Sequence, residues 1–204
     1  SSHQLDSLYR GFSFQNKSNL DMRMDRSQKL SAQDVINNYE INDLINIFFS
    51  FGEEQHAKKI ADLIIKNRPI YTTDELVHVI KLAIPRQNPK YTKSSIRRIF
   101  QAIRIEVNNE LNEIVTSLDN IKTFIKKGGI MIFLTYHSIE DKIIKKFIDN
   151  EVKGCLCDPK FAICTCKNIA EFKLGEFKKR KPSSSEIKLN PRSKSAVLRY
   201  MVKV

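Results

Sequence analysis

Two short stretches of this 204-residue chain bring reactive side-chain types together. The first is Tyr136-His137-Ser138, set between the apolar run Ile130 to Leu134 and the charged segment that begins at Ile139. A phenol, an imidazole and a hydroxyl at such a junction can donate or accept protons, and the ring can stack on a flat ligand. The second is Cys155-x-Cys157 followed, after six residues, by Cys164-x-Cys166, which together hold the chain's 4 cysteines. Four thiolates suit tetrahedral zinc, although C-x-C is tighter than the usual C-x2-C spacing. The alternative is a set of thiols that stay reduced or vary with redox state. No histidine lies near them in sequence, so a catalytic role is not expected.

The elements around the first stretch explain what its side chains face. Ile130 to Tyr136 runs without polar alternation, which predicts a strand covered on both faces. The segment from Ile139 predicts a helix, so the Tyr-His-Ser tip sits at the carboxyl end of a strand, where α/β sheets bind ligands. The helix start would aim its unpaired N–H groups at the same place. His137 therefore either borders a ligand pocket or caps that helix. A long helix precedes the strand, with Ile96, Ile99, Phe100, Ile103, Val107, Leu111, Ile114 and Leu118 at three- and four-residue steps, ended by Gly128-Gly129. Helix, strand, helix is the rhythm of an α/β sheet. After the cysteines, "FKLGEFKKRKP" and "SAVLRYMVKV" read as strands, with a short helix started by Ser183 to Glu186 between them.

Upstream lies a different kind of sequence. Ser31 to Asp34 and Thr72 to Glu75 are capping patterns. Apolar helical periods follow over Ile41 to Phe51, Glu53 to Asn67 and from Leu76 to Ala83. Residues 28–92 are thus expected to be a small all-helical domain. "RQNPKYTKSSIRR", residues 86–98, reads as a basic boundary loop between domains. Residues 1–27 read as a loop dense in large apolar groups. Few strands are predicted, all in the last 75 or so residues, and no glycine-rich turn joins a strand to a helix. The reading implies a sheet whose first strands, in an amino-terminal portion, are missing from this chain.

The charge is +12, from 35 Lys and Arg against 23 Asp and Glu, and this points to a polyanionic partner. Lys90, Lys93, Arg97 and Arg98, and separately Arg192, Lys194 and Arg199, are the clusters expected to contact phosphates, the alternative being a solvated charged face. Arg23, between two methionines, reads as a phosphate contact or as the partner of Asp21 or Asp25. Phe12 and Phe14 read as core residues or as stacking partners for a base. The longest apolar run is far too short for a membrane span, and no secretory pattern opens the chain, so the expected compartment is the cytoplasm.

Taken in order, "SSHQLD", "RGFSF", "LDMRMD", "FGEEQHAKKIA", "FQAIRIEVNNEL", "YHSIEDKIIKKF" and "NPRSKSAVLR" closely resemble one family across essentially the whole chain. It is the bacterial S-adenosylmethionine-dependent methyltransferase family that modifies the exocyclic N4 of a cytidine in 16S ribosomal RNA of the small subunit. The resemblance implies the carboxyl-terminal part of a class I, Rossmann-like methyltransferase domain, with residues 1–27 and 93–204 belonging to it and residues 28–92 inserted as a helical domain. It matches Gln4 to a cofactor-binding position and makes Ser1 and Ser2 candidates for accepting from the target amine, a role for which the strand-end side chains Tyr136, His137 and Ser138 are also available. Where the family usually has proline after the two serines, this chain has His3.

The resemblance implies S-adenosylmethionine as methyl donor and small-subunit ribosomal RNA as partner, with zinc on Cys155, Cys157, Cys164 and Cys166 as a further expectation. The chain alone is expected to be inactive and to self-associate through an exposed sheet edge. The competing expectations are an RNA-binding remnant without catalysis and a zinc-stabilised RNA-binding protein.

Overall fold

The computed structural model describes residues 9–85, 89–155, 157, 163, 166, 169–177 and 179–204. The chain forms two compact units, Ser1–Glu110 and Leu111–Val204. Among the described residues the architecture is mixed α/β, with eight α-helices and one three-stranded sheet.

The first unit is helical. Helix α1 (Ala32–Asn38) starts at Ser31, whose hydroxyl accepts from the Asp34 N–H while the Asp34 carboxylate accepts from the Ser31 N–H. Helix α2 (Ile41–Ser50) ends where Gly52 lets it approach α5 (Pro89–Asn108). A Cβ on Gly52 would lie 2.6 Å from the Phe48 carbonyl and 3.0 Å from that of Arg98, so the packing requires glycine there. Helix α3 (Ala57–Lys66) begins four residues later than the apolar period suggests, because Glu53 takes a left-handed conformation at φ 51°. Helix α4 (Thr73–Ala83) carries the capping box read from the sequence, with Glu75 accepting from the N–H groups of Tyr71 and Thr72.

Phe48, Leu44, Ile60, Ile64, Leu76, Ile80 and Ile99 are completely buried and form one core with Leu20 and Met22 from the preceding loop. Each such side chain contributes about 1.5–3 kcal/mol through burial. The loop thus packs with the helices, and the expected boundary at 92/93 falls inside α5, whose Ser95, Ile96 and Ile99 are buried in this unit. Residues 89–98, read as a basic loop, are the first half of α5. Pro89 suits a first helical position, where its missing N–H costs nothing.

The single long helix expected from the apolar period is broken. Asn109 sits at φ 50°, and a new helix, α6 (Glu110–Ile121), follows it. The second unit continues with a 3-10 turn at Lys122–Phe124, strand β1 (Ile130–Thr135), helix α7 (Ser138–Glu151), β2 (Phe172–Leu174), α8 (Ser184–Leu189), a 3-10 turn at Pro191–Ser195 and β3 (Val197–Lys203). The strand order is β1-β3-β2, with both pairings antiparallel. Met131, Phe133, Met201 and Phe172 point to one face and pack with Ile144 and Ile148 of α7.

The opposite face of β1 differs from expectation. Ile130, Ile132 and Leu134 are 56%, 66% and 53% exposed, so β1 is covered on one face only among the described residues. An all-apolar strand does not by itself report which of its faces is covered. No helix among the described residues is long and apolar enough to cross a membrane.

Candidate functional site

The tip between β1 and α7 is organised by Glu140. His137 is the N-cap of α7, and its Nδ1 accepts from the Glu140 N–H at 3.3 Å. The Glu140 carboxylate reaches back, accepting from the N–H of Tyr136 at 2.9 Å and of His137 at 3.3 Å. Its other oxygen lies 2.9 Å from His137 Nε2. That approach is an electrostatic contact rather than an aligned hydrogen bond, since buried Nε2 has no partner of good geometry. The arrangement is a capping box with histidine where serine or threonine usually stands. Because Nδ1 accepts, the proton of a neutral ring resides on Nε2, facing the carboxylate. Burial pushes the Glu140 carboxyl up, but the His137 side chain and the Tyr136 N–H outweigh it and hold the group below the usual carboxylate range.

At the start of α7 the Glu140 N–H is taken up by His137 Nδ1. Of the two readings of His137 from the sequence, the cap is the one the structure shows, made through Nδ1. Tyr136 is the outward group, 51% exposed at the end of β1. The His-x-x-Glu spacing was the available signal for this cap, obscured because histidine is an uncommon cap residue.

Directly behind the tip, Arg199 of β3 grips Asp141 of α7 with two parallel hydrogen bonds, Nε to Oδ1 at 2.7 Å and Nη2 to Oδ2 at 2.8 Å. The Thr135 hydroxyl lies 3.4 Å from Asp141 Oδ1 and 3.3 Å from the Val197 carbonyl. Hydrogen bonding to Arg199 holds the Asp141 carboxyl below its usual range and raises the guanidinium in turn. Arg199 is only 8% exposed, so the expected phosphate contact is corrected to an internal clamp joining β1, α7 and β3.

The other basic residues separate in the same way. Lys90, Lys93 and Arg97 are exposed on α5 and, at i, i+3 and i+7, share one helical stripe. Arg98 is turned away from them and binds the fully buried Glu54 at 2.6 and 2.9 Å and Ser95 at 2.8 Å, so it too is corrected to a structural cation. Arg192 and Lys194 are exposed on the 3-10 turn before β3. A neighbouring group was missed: Arg180 lies 4.4 Å over the Phe177 ring, which meets Tyr200 edge-on at 4.8 Å. The basic run before Pro182 was its only sequence signal.

Arg23 pairs with Asp21 at 2.6 Å and donates to the Gln28 carbonyl, the structural one of its two readings. Phe12 is buried and Phe14 packs edge-on to Phe100 at 5.7 Å, so both serve the core.

Ser1, Ser2, Gln4 and Cys164 lie outside the described residues. The sulfur atoms of Cys155, Cys157 and Cys166 all lie within 4.8 Å of one another. Gly175, the glycine that follows a strand, has the Tyr200 ring lying where a Cβ would be.

Residues 1–204 match the sequence model of the MraW methylase family. Three relatives carry the name "Ribosomal RNA small subunit methyltransferase H". Those of Clostridioides difficile and Halothermothrix orenii are 43% and 41% identical over 207 residues, and that of Caldicellulosiruptor saccharolyticus is 44% identical over 207 residues. Each alignment covers 100% of this chain and 67% of the relative.

Proposed function

Because this chain belongs to the MraW methylase family, and by family is an S-adenosylmethionine-dependent methyltransferase, we propose that it acts on small-subunit ribosomal RNA, at the exocyclic N4 of a cytidine. The observation that carries the reading is the family match over residues 1–204, joined by relatives at 41–44% identity that bear one name. A cytosine N4 amine is a weak nucleophile, because its lone pair is delocalised into the ring. The protein must hold the nitrogen in line with the methyl group and offer an acceptor to the departing proton. By family resemblance Ser1 and Ser2 are the acceptor candidates and Gln4 contacts the donor. His137 acts through Glu140 as a positioning residue, fixing the backbone that presents Tyr136.

Tyr136 offers a stacking face for an unpaired base, an interaction worth about 1–3 kcal/mol. Lys90, Lys93 and Arg97, and separately Arg192 and Lys194, supply the phosphate contacts that set register without reading sequence. The Tyr200 ring lying over Gly175, the glycine that follows β2, favours a narrower reading of the isolated chain: it grips RNA and does not hold the donor on its own. The bare face and open edge of β1 support self-association of that isolated chain. The cytoplasm, where ribosomal RNA is modified, is the compartment that this function requires.

The test is nucleoside mass spectrometry of small-subunit ribosomal RNA from cells in which the coding sequence is disrupted. Loss of N4-methylated cytidine at one position is expected. An unchanged N4-methylcytidine content would overturn the assignment of the target.

A further inference from the structure

We propose that Cys155, Cys157 and Cys166 are ligands of one structural zinc ion, and that Cys164, by its place in the mirrored C-x-C pairs, is the fourth. The geometry is metric rather than merely compositional. Zinc–thiolate bonds of about 2.3 Å in a tetrahedron set neighbouring sulfurs about 3.8 Å apart. The Cys155 and Cys166 sulfurs stand 3.8 Å apart, and the set including Cys157 lies within 4.8 Å. A disulfide would need about 2.05 Å, so these two sulfurs are spaced for a shared cation and not for a bond to each other.

The location explains what the ion does. The cysteines lie in the connection between Glu151, the last residue of α7, and Phe172, the first of β2. That connection is about 20 residues long. Within it, Ile163 and Ile169 are 78% and 82% exposed. Its two ends, by contrast, are fixed: Glu151 binds Lys122 at 2.7 Å, and Phe172 is 1% exposed in the sheet core. A cation joining residue 155 to residue 166 closes a loop within this connection and cross-links it. Four thiolates leave no open coordination position, so the ion is structural and does not activate water.

Cobalt titration of the reduced, metal-stripped protein tests this. One cobalt per chain, with the intense absorption of tetrahedral thiolate ligation and displacement by one equivalent of zinc, is expected. Cys155→Ser and Cys166→Ser should abolish that spectrum, and Cys164→Ser should alter it. Far-ultraviolet circular dichroism on each variant separates ligand loss from failure to fold, because the helices of residues 32–108 belong to the other compact unit. A weak, octahedral-type spectrum from the folded wild type, no cobalt uptake, or a native Cys155–Cys166 disulfide in anaerobically purified protein would overturn the proposal. The outcome is independent of methyl transfer, so it stands or falls apart from the proposed function.

Discussion

The helical unit and the sheet unit solve the burial problem differently. In the first, helices and the preceding loop enclose a core in which Phe48, Leu44 and Ile60 have no exposed surface. In the second, α7 covers one face of the sheet, while Ile132 on the other face is 66% exposed. The polar contacts follow the same division. Glu54, fully buried, is answered by Arg98 within the helical unit, whereas the residues at the end of β1 are held by caps and a clamp beside an exposed tyrosine. An apolar strand left bare on one face marks a surface that association would cover.

The sharpest way to break this contrast is a pair of matched truncations. Phe48→Ala should cost about 3–5 kcal/mol in urea unfolding, while Ile132→Ala should stay within about 0.5 kcal/mol. Similar costs for the two would mean that the face of β1 is covered after all. Next in size, Arg98→Met strands the fully buried Glu54 carboxylate and should cost about 3 kcal/mol, toward the low end for a broken buried pair, since the Arg98 side chain is itself 25% exposed. Restoring the match with Glu54→Gln in the same protein should recover part of that loss, and no recovery would argue against the pairing.

In the sheet unit the corresponding test is acid. The folded-state pKa values of Asp141 and Glu140 lie below their ordinary values. Their contribution is therefore complete above the ordinary carboxylate range and disappears as pH falls through the depressed values. Asp141→Asn should lower stability at neutral pH and flatten the loss below about pH 4. A variant with the wild-type acid profile would remove Asp141 as a source of that dependence.

Two smaller effects concern surfaces. Ile132→Lys should leave thermal unfolding nearly unchanged and shift sedimentation toward monomer. A wild-type chain that is already monomeric at high concentration would show that the bare face does not drive association. Replacing Lys90, Lys93 and Arg97 together by alanine should reduce the salt slope of single-stranded RNA binding by about 2, at roughly 0.7 per phosphate contact. An unchanged slope would assign those side chains to solvent.

How much of this was legible in the sequence depended on distance along the chain. The caps at Ser31 and Thr72 were readable, since both partners lie within one turn. The final strand and the short helix before it were readable from local pattern. The breaks were not, because Glu53 and Asn109 adopt left-handed conformations that nothing in the apolar period forbids. Charge type alone did not separate Arg97, which faces solvent, from Arg98, whose partner Glu54 is 44 residues away. Arg199 was misread for the same reason, its partner lying 58 residues distant in α7. His137 was placed correctly at the strand end, but the decisive neighbour, Glu140, was overlooked.

The central proposal is that this chain grips RNA through its exposed cations and does not hold the donor on its own. Calorimetry tests it most directly, with the isolated 204-residue chain titrated first with a small-subunit ribosomal RNA fragment and then with S-adenosylmethionine. The account predicts salt-dependent heat from the RNA and none from the donor. Tight donor binding, or RNA binding that ignores salt, would contradict it.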